Sequence, residues 1–540
     1  MYSSSRRRLL KRGVALVGAP LVPGLAWPAT AASVAPSAVS TPHPEARAAA
    51  QAILESGGNA VDAAVAAITT LCVVEPGNVG LAGYGGSMAI HLAREGRTTS
   101  IDFDSRAPMA FKPGSLNEAS ATFGYQAVGV PGVVAGLDLA LARYGTLPWR
   151  AVSAHALELA EQGFTVSARI HRGLENFSQH ADAVSVRALL PGGVPAEGER
   201  WAQRDLARVI RAINDGGADG FYRGDPGRRI ARHVRENGGA LSDEDFRLFH
   251  ARESAPLSLD YRGLRLYTPP VPSAGLTALS ILKTLEQFDI AQLGNTPAQY
   301  YHVLAQASKL AWQERFRWLG DPDFVQFPTA ELLSAEAAAG RAALIRAGRV
   351  PPVAARPPEP LHTVSVVVVD RHRNVVSVTA TQGGGFGSRV VVPGTGLVLG
   401  HGMSRFDLTP GPNFPAPGKR MQHNMAPMLA LRDGQPVLGF GMPGGRMIVT
   451  VTAQLAVNVI DFRQTAAQAV AAPRIHNEGS AVLKVSGDVS AETVRSLESL
   501  GHQVERASTL GGPANMVRID PASGNIDAAS EAGPAGVYVG

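Results

Sequence analysis

Two hydroxyls on one hairpin are the first chemistry this sequence offers. Residues 361–388 read LHTVSVVVVDRHRNVVSVTATQGGGFGS, where two runs rich in β-branched residues, Val364–Val369 and Val375–Thr381, flank the polar turn RHRN. Thr363 opens the first strand and Thr381 ends the second. Taken by itself, a threonine at a strand start is a good strand former and no more. A further turn, GMPGGR at 441–446, follows the strand-like LGFGM and carries Gly444 and Gly445. Other chemistries lack support. No histidine pair stands at metal-ligand spacing with a partnering carboxylate, and no G-x-S-x-G elbow is present for Ser/His/Asp catalysis. No metal and no organic cofactor is expected.

TVSVVVVD, then N-x-V-S-V-T-x-T, then a Gly-rich segment ending GFGS, resembles the start of the small subunit of the γ-glutamyltranspeptidase family. Similar stretches follow the family in order: GGNAVDAAVAA and VVEPGNVGLAGYGG near the start, AVGVPGVVAGL at 127–137, GFYRGD at 220–225, GGALSDEDF at 238–246, YRGLRLYTPPVPSAG at 261–275 and LGDPDF at 319–324. The resemblance spans about 43–540. It implies an α+β fold of the N-terminal nucleophile hydrolase type, a four-layer αββα sandwich with two stacked, largely antiparallel sheets. It also implies self-cleavage between His362 and Thr363, which yields a large subunit of 32–362 and a small subunit of 363–540 held together as a heterodimer.

The same resemblance makes Thr363 the nucleophile. An internal threonine hydroxyl is a poor nucleophile, because nothing nearby need accept its proton. Cleavage would give Thr363 an α-amine of pKa about 7.7–8.0, near where a general base works best. One residue then carries nucleophile and base, attacks an amide carbonyl, and passes the acyl group to water or an amine. Gly444 and Gly445 match the family's oxyanion-hole glycines, and Thr381 a threonine that hydrogen-bonds near the nucleophile. His362 has no required role beyond the cleaved bond.

The acyl pocket departs from the family pattern. The family's arginine for the substrate α-carboxylate matches Asp104, and its acid for the α-amine matches Arg405, so both charges are inverted. A carboxylate facing Asp104, or an ammonium facing Arg405, would be repelled in a partly desolvated site. Either these two residues pair with each other or the pocket takes another acyl group. Arg106 and Asp407, two residues beyond each matched position, offer a fallback γ-glutamyl site. His423-Asn424 replaces the family's serine pair, and Leu408–Gly418 is short for a lid. The expected substrate is therefore a small-molecule amide with an acyl group other than γ-glutamyl. The alternatives are a true γ-glutamyltransferase or glutathione hydrolase, and a non-catalytic binding protein on the same fold.

The elements that must position these residues read consistently. At 540 residues, ~150 per domain would suggest three or so domains, whereas the family has one large body. Arg6, Arg7, Arg8, Lys11 and Arg12 lie in a leader, 1–31, without acids. Setting them aside leaves 45 basic against 45 acidic residues, with no case for nucleic-acid binding. Ser5–Lys11 looks like a twin-arginine export signal, followed by a modest apolar stretch and Ala29-Thr30-Ala31. Pro20, Pro23 and Pro28 break a span too short for a stable membrane anchor, so a periplasmic or secreted protein is expected. Residues 32–42 read as a Ser/Pro/Ala linker and 346–361 as a Pro-rich one. PEARAAAQAILE reads as a helix ending at Gly57-Gly58, and Asn59 caps the next with Asp62 as partner. Cys72, the only cysteine, lies on that helix's apolar stripe with Val61, Val65 and Ile68 and reads as core.

Overall fold

The computed structural model describes residues 36–294, 297–351, 353, 359, 362–533 and 535–538. The export signal expected at 1–31 lies outside them, as does half of the Pro-rich stretch 346–361.

The nucleophile hairpin forms the middle of the molecule. His362–Val369 pairs antiparallel with Val375–Gly383, and Asp370 closes the turn by accepting from the His372 and Asn374 amides at 2.8 and 3.0 Å. The valine run is buried on both sides for a simple reason. Val364, Val366 and Val368 belong to the core beneath a helical layer, whereas Val367, Val369 and Val375 pack between the sheets. Each buried valine contributes roughly 1.5–3 kcal/mol, which fixes the strand that carries Thr363.

This hairpin sits inside a seven-stranded antiparallel sheet, in the spatial order Gly536–Tyr538, Ser37–Ser40, His362–Val369, Val375–Gly383, Gly85–Leu92, Arg97–Asp102, Arg252–Ser254. A six-stranded antiparallel sheet stacks on it, in the order Ile526–Ser530, Asn515–Ile519, Gln435–Gly441, Met428–Arg432, Leu264–Thr268, Leu257–Tyr261. Helices that include Pro44–Glu55, Ala60–Val74 and Val133–Tyr144 cover the first sheet. Gly275–Leu285, Pro297–Trp318 and Met447–Ile460 cover the second. The αββα sandwich is thus as expected, with strands from both sides of Thr363 in each sheet.

Local signals hold at the helix starts. Asn59 accepts from the Val61 and Asp62 amides and Asp62 from the Asn59 amide, a reciprocal cap on Ala60–Val74. Cys72 is 2% exposed in the core of that helix. The expected linker at 32–42 needs correction, because Ser37–Ser40 is a buried strand. Its partners are Val367–Val369 on one edge and Gly536–Tyr538 on the other, so long-range pairing overrides a weak local pattern.

Candidate active site

Thr363 shares the odd-numbered side of its strand with Ser365, Val367 and Val369, so it faces the second sheet. Its hydroxyl donates to Thr381 Oγ1 at 3.2 Å. Thr381 Oγ1 donates in turn to the His362 carbonyl oxygen at 2.6 Å and accepts from the Gly383 amide at 2.7 Å. A shift in register makes this possible. Ala380 lies opposite Val364 and Gly383 opposite His362, so Thr381 and Gln382 together face Thr363. Such a bulge re-aims a side chain, here onto the peptide bond that precedes Thr363. His362 Nδ1 lies 2.9 Å from Asn78 Oδ1, and burial, aided by Arg169, holds its pKa below the usual histidine value.

The second sheet brings a glycine turn to the same end of the hairpin. A Cβ on Gly441 would come within 2.6 Å of Ser365 Oγ, and Ser377 Oγ donates to the Phe440 carbonyl at 2.9 Å. Beyond Pro443, Gly444 has φ 139° and Gly445 φ 57°, values that favour glycine. Neither amide has a hydrogen-bond acceptor among the described residues. Both precede Met447–Ile460, and a helix N-terminus favours negative charge. A cavity of about 910 Å³ opens at Thr363, with Asn78, Arg169, Phe386, Pro443 and Arg474 in its walls.

The inverted positions fall into two separate groups. In the first, Asp104 is buried against His423 Nε2. Asp102 accepts from the Asp104 amide at 3.0 Å and pairs with Arg420 at 2.5 Å, and Arg420 pairs with Asp321 at 2.7 Å. Burial, with Asp102 nearby, raises the Asp104 carboxyl well above its usual range, and burial lowers His423 to about 3. Burial thus disfavours the charged form of both groups. Asp102, Asp104 and His423 present ligand atoms within 4.8 Å of one another. Arg420 already supplies the positive charge at Asp102, which makes this an ill-suited seat for a cation.

In the second group, Arg405 Nη1 lies 2.7 Å from Glu359 Oε2 and Arg446 Nε 3.1 Å from Glu359 Oε1. Asn424 Nδ2 donates to Glu359 Oε2 at 2.6 Å, and Arg315 Nη2 holds Asn424 Oδ1 at 2.9 Å. Arg405 also donates to the Gly383 carbonyl at 3.0 Å, which ties this group to the bulge. Burial opposes charge on Glu359, but Arg405, Arg446 and Arg315 outweigh it and hold the carboxyl below its usual pKa. Asp104 and Arg405 thus have different partners. Arg106 lies over the Phe249 ring at 5.9 Å, and the Asp407 amide donates to the Asn413 carbonyl at 3.1 Å.

A family model described as gamma-glutamyltranspeptidase matches residues 46–540. The chain belongs to the gamma-glutamyltranspeptidase family. It is 37% identical to the acylase ACY 1 proenzyme of Pseudomonas sp. (strain SE83), over 89% of this chain and 90% of that one. It is 33% identical to the glutathione hydrolase proenzyme of Escherichia coli (strain K12), over 86% and 85% of the two chains. The crystal structure of cephalosporin acylase from Bacillus halodurans superposes with a TM-score of 0.84 at 27% identity, covering 95% of this chain and 98% of that one. The chain is a gamma-glutamyltransferase-like amidohydrolase or acyltransferase with the N-terminal nucleophile hydrolase fold.

Within this gamma-glutamyltranspeptidase frame, sequence reading missed Glu359, Arg446 and Arg315. Arg446 ends the GMPGGR turn and was in plain view. Glu359 sits in the Pro-rich stretch, where nothing local distinguishes it from linker.

Proposed function

We propose that Thr363 is the nucleophile of a self-processing amide hydrolase, cut between His362 and Thr363 into subunits of 32–362 and 363–540. The observation that most supports this is the relay from the Thr363 hydroxyl through Thr381 to the His362 carbonyl oxygen. In processing, Thr363 Oγ1 bonds to the His362 carbonyl carbon while Thr381 stabilises the oxygen. The carbon–nitrogen bond then breaks with protonation of the Thr363 nitrogen, and water opens the ester to leave a His362 carboxylate. Both sheets draw strands from each side of the cut, so the two subunits stay interleaved as a heterodimer.

In turnover the freed amine takes the hydroxyl proton, Thr363 attacks an amide, and the Gly444 and Gly445 amides receive the oxyanion. Water or an amine then accepts the acyl group. The buried Asp104 and the Arg405 cluster suit an acyl group other than γ-glutamyl, in line with the acylase relative. A second reading, γ-glutamyl transfer, draws on the glutathione hydrolase relative. Release of p-nitroaniline from glutaryl and γ-glutamyl anilides separates them: faster turnover of the glutaryl compound is expected, and turnover of the γ-glutamyl compound alone would reverse the assignment. The SRRRLLK leader supports export by the twin-arginine route. Among the described residues, no helix is long and apolar enough to cross a membrane.

A further inference from the structure

We propose that Arg405, Asn424 and Arg446 form a receptor for a carboxylate at the far end of the acyl group, and that Glu359 of the uncut chain occupies it as a built-in stand-in. The inference rests on Thr363 being the nucleophile and names the class of acyl group that Thr363 would take.

Two guanidiniums and one amide converge on a single carboxylate, at 2.7, 3.1 and 2.6 Å. The Arg405 side chain is 7% exposed and that of Arg446 13%. Cations this far from water need a counter-charge. Arg446 keeps a second acid, Glu478, at 3.0 Å, whereas the ion pair of Arg405 among the described residues is with Glu359. The buried Nε of Arg405 has no hydrogen-bond partner among the described residues, a donor left for a ligand oxygen. The receptor lies beside the reacting atoms: Arg405 holds the Gly383 carbonyl, Gly383 holds Thr381, and Arg446 follows the Gly444-Gly445 turn.

Glu359 is four residues ahead of Thr363 on the side that scission releases. While the chain is whole, its carboxylate is tethered beside the receptor and competes with any free acid. After scission Glu359 is no longer joined through the backbone to Thr363, and once its carboxylate leaves the receptor the uncompensated guanidiniums favour an acyl group that ends in a carboxylate. A γ-glutamyl group brings its ammonium to the same cations and is disfavoured.

The test is glutarate binding by isothermal titration to two uncut chains, Thr363→Ala and Thr363→Ala/Glu359→Ala. A competing tether lowers apparent affinity by the fraction of sites it fills, so removing Glu359 is expected to tighten glutarate binding by about tenfold or more. Glutaramide, which lacks charge, should bind neither chain, and L-glutamate should bind the double variant less tightly than glutarate. Adding Arg446→Gln, with thermal unfolding to verify folding, should weaken glutarate binding again. Equal glutarate affinity with and without Glu359, no glutarate binding to either, or glutamate binding as tight as glutarate would overturn the proposal. These readouts need no catalysis. Failure of the nucleophile assignment shows separately, as a wild-type chain that stays whole.

Discussion

The Thr363 end of the hairpin and the Arg405 pocket meet at the same bulge but are held by different forces. Around Thr363 the contacts are short, neutral and mostly made by backbone: one hydroxyl relay, the Gly383 amide, and a glycine turn carried by the neighbouring sheet. Around Arg405 the contacts are charged and come from four separate stretches of chain, at Glu359, Arg405, Asn424 and Arg446. A reacting geometry built on strand register tolerates little change, because each atom is fixed by its neighbours. A pocket built on ion pairs can be recharged one residue at a time. That difference lets the hairpin and the glycine turn stay fixed while the charges around Arg405 can vary.

Substitutions can break the comparison. Thr381→Val removes the donor to the His362 carbonyl and should slow processing and turnover by about 10²–10³-fold, the usual cost of one oxyanion donor. The rate of fragment appearance on denaturing gels measures it, with folding followed in parallel. Arg405→Met should act on one substrate class only. Loss of one partner of a buried charge pair costs about 2–5 kcal/mol, so kcat/KM for a glutaryl anilide should fall by about 30-fold or more, mostly through KM, while a neutral acyl anilide changes little. Equal losses on both would place Arg405 in the reaction and not in recognition.

Gly444→Ala tests the turn. Its φ of 139° and a Cβ contact of 2.6 Å with Gly511 Cα should cost about 1–3 kcal/mol in urea unfolding, besides disturbing the oxyanion amide. The smallest effect concerns pH. Burial lowers His401 to about 3, whereas unfolded histidine titrates near 6.5. Below about pH 6.5 the unfolded chain binds more protons, so stability should fall as pH drops toward 4 and level off above 6.5. His401→Gln should flatten that slope, which urea titrations at several pH values would measure.

What was legible in the sequence follows the same division. The hairpin and the Asn59–Asp62 cap rest on local patterns and appear where expected, within a residue or two at strand ends. Ser37–Ser40 was misread as linker because four small residues carry no period, and the pairing that makes them a strand comes from Val367–Val369 and the chain's far end. The inverted charges at Asp104 and Arg405 were visible, but their partners were not. His423 and Glu359 are far from them along the chain, and a Pro-rich stretch gives no sign that one of its acids is bound between two arginines.

The most direct test of the central claim is the intact mass of the purified protein beside Thr363→Ala, both denatured so that associated fragments separate. The expected result is two fragments from the wild type, the smaller beginning at Thr363, and one uncut chain from the variant. A single uncut wild-type chain would deny Thr363 its free amine and contradict the account, as would fragments that begin at any other residue or that persist in Thr363→Ala.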